Sequence, residues 1–106
     1  MSDEFLKIAT DEINNEISEI KKLLNSCYRN SDVYAKATKI QKSTHKIKGL
    51  APMMGKEELG NLSDLLDSIL MKIIDGATSD EILELLIVAV SEMKNSMTQS
   101  EYDLNK

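Results

Sequence analysis

The 106-residue chain contains a single histidine, His45, followed at the third and fourth positions by Lys48 and Gly49. On a helix, His45 and Lys48 lie one turn apart on nearly the same side. A neutral imidazole can attack phosphorus through one ring nitrogen while the other keeps its proton. The phosphoryl group so gained is strongly negative, and an ammonium one turn away offers it charge-assisted hydrogen bonds. Gly49 costs a helix about 1 kcal/mol relative to alanine. What it offers instead is access, because no side chain stands beside the histidine and a partner can press against the backbone. A lone histidine on a helix flank is by itself an ordinary surface residue. It is the spacing of Lys48 and Gly49 that points to chemistry.

The elements that must position these residues are helices. Apolar residues recur at steps of three and four in four segments, at about residues 3–27, 32–51, 56–74 and 79–97. The first stripe is Phe5, Ile8, Ala9, Ile13, Ile17, Ile20, Leu23 and Leu24. The second is Val33, Ala37, Ile40, Thr44, Ile47 and Ala51. Leu59, Leu62, Leu66, Ile69 and Ile73 form the third, widened by Leu65 and Leu70. Ile82, Leu85, Leu86, Ala89, Val90, Met93 and Met97 form the fourth.

Ser2 is the expected cap of the first helix, and Asn30 or Ser31 that of the second. Thr78 and Glu81 fit a capping box for the last. Pro52 pushes the residue before it away from the helical region, so the second helix should end or kink there. Gly55 is a natural break, and Gly76 suits a left-handed position after a helix. Residues 98–106 lack periodicity and are expected to be a frayed tail. The expectation is an all-α, up-down-up-down four-helix bundle, one domain over residues 1–106. On the wheel of the second helix, His45 lies roughly 120° and Lys48 roughly 60° from the centre of the apolar stripe. Both therefore sit on the flank, with the imidazole largely in solvent.

Composition narrows the function classes. Residues are 42% hydrophobic but only 4% aromatic, with no Trp, so the core must be aliphatic. One Pro and four Gly are too few turns for an all-β sandwich. A formal net charge of −5 and a pI near 4.8 disfavour nucleic acid as a partner, since phosphate contacts need a basic face. Cys27 is alone, which points to a reducing compartment and to a buried small hydrophobe rather than a nucleophile. Met53 and Met54 read as core fillers. The N-terminus, MSDEFLK, lacks the basic and apolar regions of a secretory signal. The longest apolar run, Leu85 to Val90, is far short of a membrane span. A cytoplasmic protein without membrane contact is expected. Neither a zinc-ligand cluster nor a nucleotide-binding motif is present, so this chain is expected to bind no metal and no cofactor.

The stretch His45-Lys46-Ile47-Lys48-Gly49-Leu50-Ala51-Pro52-Met53-Met54-Gly55 resembles the phosphoacceptor signature of histidine phosphotransfer domains. It is similar in particular to the N-terminal phosphoacceptor domain of CheA-type chemotaxis histidine kinases. That motif is His-x-x-Lys-Gly, then small residues, a Met-Gly or Phe-Gly, and a leucine-rich helix, here Leu59, Leu62, Leu65, Leu66 and Leu70. The similarity spans about residues 3–97 and is specific over about residues 44–70.

The resemblance implies that His45 is the phosphoacceptor, that Lys48 stabilises the phosphoryl group and that Gly49 permits partner approach. It implies two partners. One is a separate kinase domain that binds ATP with Mg, and the other is a response-regulator receiver domain whose aspartate takes the group. The family also holds the histidine ring with a carboxylate on the next helix, usually a Glu with a second His three residues before it. Those positions are Asp67 and Asp64 here. Aspartate reaches roughly 1.5 Å less than glutamate, so whether Asp67 touches the ring is open. Asp64 is expected to be a solvated residue with at most a weak long-range influence. Pro52 replaces the usual small residue, about two turns after the site. The alternatives are a free-standing relay protein and a helical interaction bundle that is not phosphorylated.

Overall fold

The first helix starts where its cap demands. In the computed structural model, which describes residues 2–98, the backbone amide of Phe5 donates to Ser2 Oγ at 3.1 Å, and Asp3 and Glu4 occupy the positive end of the helix dipole. The helices are α1 (Asp3–Asn25), α2 (Asn30–Leu50), α3 (Glu57–Ile74) and α4 (Ile82–Thr98). A single 3₁₀ turn, Pro52–Met54, joins α2 to α3. Among the described residues there is no strand, and the fold is the expected all-α four-helix bundle. Each helix packs on its two neighbours, and α2 packs most extensively against α3. Thr98 belongs to α4; the rest of the expected tail, 99–106, lies outside the described residues.

The core is aliphatic, with Ile13, Ile20, Ile40, Ile47, Leu66, Leu70, Ile82, Leu86 and Met93 fully enclosed. Cys27 is buried beside them, and burial pushes its thiol above the usual range. The buried stripes are narrower than the sequence pattern implies. Ile8, Leu65 and Leu85 sit at stripe edges and are exposed, Ile8 to 61%. Met53 is also exposed rather than a core filler, whereas Met54 packs against the core. No helix among the described residues is long and apolar enough to cross a membrane.

Two helix starts differ from expectation. Neither Asn30 nor Ser31 caps α2. The Asp32 carboxylate reaches back to accept the amides of Tyr28 and Arg29 at 2.8 and 3.1 Å. The Tyr28 amide, first among these contacts, holds the Asp32 carboxyl below the usual carboxylate range. Asn30 instead serves α4: its Oδ1 accepts from Leu83 N at 2.9 Å, and its Nδ2 donates to Asp80 O at 2.8 Å. The Thr78–Glu81 capping box is not what closes α4. Glu81 N bonds Ser79 Oγ at 3.2 Å, while the Tyr34 hydroxyl bridges Ser79 N and O at 2.8 Å each. Long-range side chains have displaced the local cap, and α4 begins at Ile82 rather than near residue 79.

Helix α2 ends before Pro52 as expected, but the residue before the proline is not pushed out of the helical region. Ala51 keeps helical angles (φ −58°, ψ −46°), and its amide bonds Ile47 O at 2.9 Å. Ala51 is fully buried, so packing outweighs the pre-proline preference. Gly55 (φ +79°) then reverses the chain into α3. A Cβ on Gly60 would lie 2.9 Å from Pro52 Cγ. That glycine lets α3 settle directly onto the proline, within two turns of the site residues.

Candidate functional site

Helix α2 places Gln41, His45 and Lys48 at i, i+4 and i+7, a single line of side chains facing α3. Helix α3 places Asp64 and Asp67 one turn apart opposite that line. The His45 side chain is 66% exposed, as its flank position implied, whereas that of Asp67 is only 10% exposed. His45 Nδ1 stands 3.6 Å from Asp67 Oδ1. That is ion-pair range, longer than an N–H···O hydrogen bond. The shorter aspartate thus approaches the ring without yet bonding it.

Lys48 joins the same carboxylate from the other side. Its Nζ lies 3.5 Å from Asp67 Oδ2 and 3.0 Å from Asp64 Oδ1. Asp64 is therefore more than the solvated bystander expected: it is the nearer counter-ion of Lys48. Its hydrogen bond, with its charge, raises the Lys48 ammonium above the usual lysine range. Lys48 is cationic at neutral pH.

Sequence reasoning missed Gln41. Its Nε2 donates to Asp67 Oδ1 at 2.7 Å, the oxygen that also faces His45. The one available signal was its position a full turn before the histidine. Sequence reasoning also missed the other side of α2. There Ser43 Oγ donates to Glu16 Oε1 at 2.8 Å, and Lys46 Nζ lies 3.3 Å from Glu16 and 3.8 Å from Glu12.

Gly49 is exposed, and a Cβ built on it would meet no atom within 4 Å. Nothing among the described residues demands glycine there. A shallow apolar groove between α1 and α2 runs past it, lined by Phe5, Ile8, Leu50 and the His45 ring. Among the described residues no group of three or more His, Cys, Asp or Glu is placed to hold a metal ion. Comparison of the chain with protein-family models, curated proteins and solved structures finds no match.

Chemically, the arrangement can fix an imidazole. A carboxylate facing Nδ1 favours the proton on that nitrogen and leaves Nε2, at the ring's other edge, as the nucleophile. The same carboxylate can stabilise the positive charge that develops on the ring during attack. The ammonium of Lys48, one turn away, can donate to an anionic group placed on that nitrogen.

Proposed function

We propose that this chain is a histidine phosphotransfer domain of the CheA type, acting in the cytoplasm in two-component chemotaxis signalling. One observation supports the reading above the others. An exposed imidazole turns Nδ1 toward a buried carboxylate that a lysine ammonium also approaches.

In the proposed reaction, Nε2 of His45 attacks the γ-phosphorus of Mg-ATP held by a separate kinase domain. The N–P bond forms as the bond to the ADP oxygen breaks, and the electron pair leaves with ADP. The proton stays on Nδ1, facing Asp67, throughout, and the carboxylate balances the positive charge of the phosphorylated ring. Lys48 turns from Asp64 to the phosphoryl oxygens. A receiver-domain aspartate oxygen then attacks the phosphorus, the N–P bond breaks with its electron pair returning to Nε2, and His45 is left as neutral imidazole with its Nδ1 proton in place. The open space at Gly49 and the groove beside it provide room for either partner.

The test is phosphorylation by a CheA-type catalytic core with radiolabelled ATP, and separately by a small phosphodonor read by ³¹P NMR. Wild type should form acid-labile phosphohistidine, and His45→Gln should form none. Absence of phosphohistidine in wild type with both donors would overturn the reading in favour of an interaction bundle.

A further inference from the structure

Asp67 has a geometric difficulty that its neighbour answers. An aspartate on α3 reaches less far toward α2 than a glutamate would, and its carboxylate is nearly enclosed. An enclosed carboxylate without fixed donors would be free to turn toward whichever cation is nearest, and Lys48 lies at 3.5 Å. Turned that way, neither oxygen would serve the ring. Gln41 prevents it by donating to Oδ1 at 2.7 Å, within the range of a strong charge-assisted hydrogen bond. The other oxygen, Oδ2, is left to Lys48. The carboxylate is thereby divided between two faces, with Oδ1 for the imidazole and Oδ2 for the ammonium.

A carboxylate oxygen has two lone-pair directions, so Oδ1 can accept from Gln41 and from His45 Nδ1 together. The amide is neutral and does not titrate, so it aims the oxygen without adding charge to a site that will receive a phosphoryl group. Its position also fits, since Gln41 lies one helical turn before His45 on the same rigid element. Any tilt of α2 relative to α3 moves the donor and the ring together.

We propose that Gln41 is a positioning residue that aims Asp67 Oδ1 at His45 Nδ1, sets the ring's tautomer and makes up for the shorter reach of aspartate. This rests on the reading of His45 as the phosphoacceptor, but its first test does not. Long-range ¹H–¹⁵N NMR of the His45 ring reads the tautomer directly in the full chain. In wild type the Nδ1–H form should predominate. Gln41→Met, which keeps length and loses the donor, should shift the population toward Nε2–H.

The second test is a double-mutant cycle with a small phosphodonor. Gln41→Met should slow His45 phosphorylation about three- to tenfold, the scale of one hydrogen bond. In an Asp67→Glu background, where the longer side chain reaches the ring unaided, the same substitution should change the rate less than twofold. An unchanged tautomer in Gln41→Met would overturn the proposal, as would an equal rate loss in both backgrounds. A wild type that shows the Nδ1–H form but takes up no phosphate would instead sink the phosphotransfer reading and leave Gln41 as the ring's positioning residue.

Discussion

Helix α2 is flanked by two polar seams built to the same plan. On the α1 side, Lys46 lies between Glu12 and Glu16; on the α3 side, Lys48 lies between Asp64 and Asp67. Each seam has one well-covered carboxylate, and each has a neutral side chain of α2 bonded to it, Ser43 to Glu16 and Gln41 to Asp67. A lysine with two carboxylates is therefore not what distinguishes a site. The difference is where the imidazole turns. His45 Nδ1 approaches Asp67, and no ring contact ties it to Glu12 or Glu16. The α1 seam is an ordinary interhelical clamp. The α3 seam has the same parts with an imidazole added.

Substituting the two lysines should expose that difference most strongly. Lys48→Ala should lower the rate of His45 phosphorylation about 10- to 100-fold, the equivalent of one charge-assisted hydrogen bond. Lys46→Ala should stay within about twofold, because its partners hold only the clamp. Equal losses from both, measured with the same phosphodonor, would erase the contrast between the seams.

The two glycines near the site should differ in sign. Gly60→Ala forces a Cβ against Pro52 Cγ and should destabilise the fold by about 1–3 kcal/mol, visible as a lower urea midpoint. Gly49→Ala adds a Cβ to open space and should raise stability by up to about 1 kcal/mol. It should leave small-donor phosphorylation unchanged and slow only transfer from the kinase domain. A Gly49→Ala protein less stable than wild type would show that this glycine is structural after all.

The smallest effect belongs to the far end of α2. The Asp32 carboxyl is held below its usual range, so it contributes stability above its unfolded value and loses it as pH falls. The stability difference between wild type and Asp32→Asn should be present at pH 7 and shrink below about pH 4. His45 phosphorylation at pH 7 should be the same in both. A difference that persists undiminished at low pH would mean that the Asp32 contacts do not depend on its charge.

Much of the fold was legible because helix periodicity is a local property. Val33, Ala37, Ile40, Thr44 and Ile47 recur at helical steps and are all buried, and the same wheel placed His45 in solvent. Ser2 was legible as a cap for the same reason, since donor and acceptor lie three residues apart. The caps of α2 and α4 were not. Asn30 finds its partners fifty residues away, and no local rule ranks Leu83 N above its own helix. Ile8, Leu65 and Leu85 fit their stripes, but which edge of a stripe is covered depends on where the next helix lies.

The site divides along the same line. The sequence by itself determined the helices, the aliphatic core and the placement of His45 and Lys48 on the flank of the second helix, because each follows from spacing within a single helix. Only the tertiary structure decided that Asp67 stops 3.6 Å from the ring, that Asp64 is the closer partner of Lys48 and that Gln41 holds the carboxylate. Those depend on the separation and register of α2 and α3. That geometry is set by contacts such as Gly60 on Pro52, which join residues that no helical period relates.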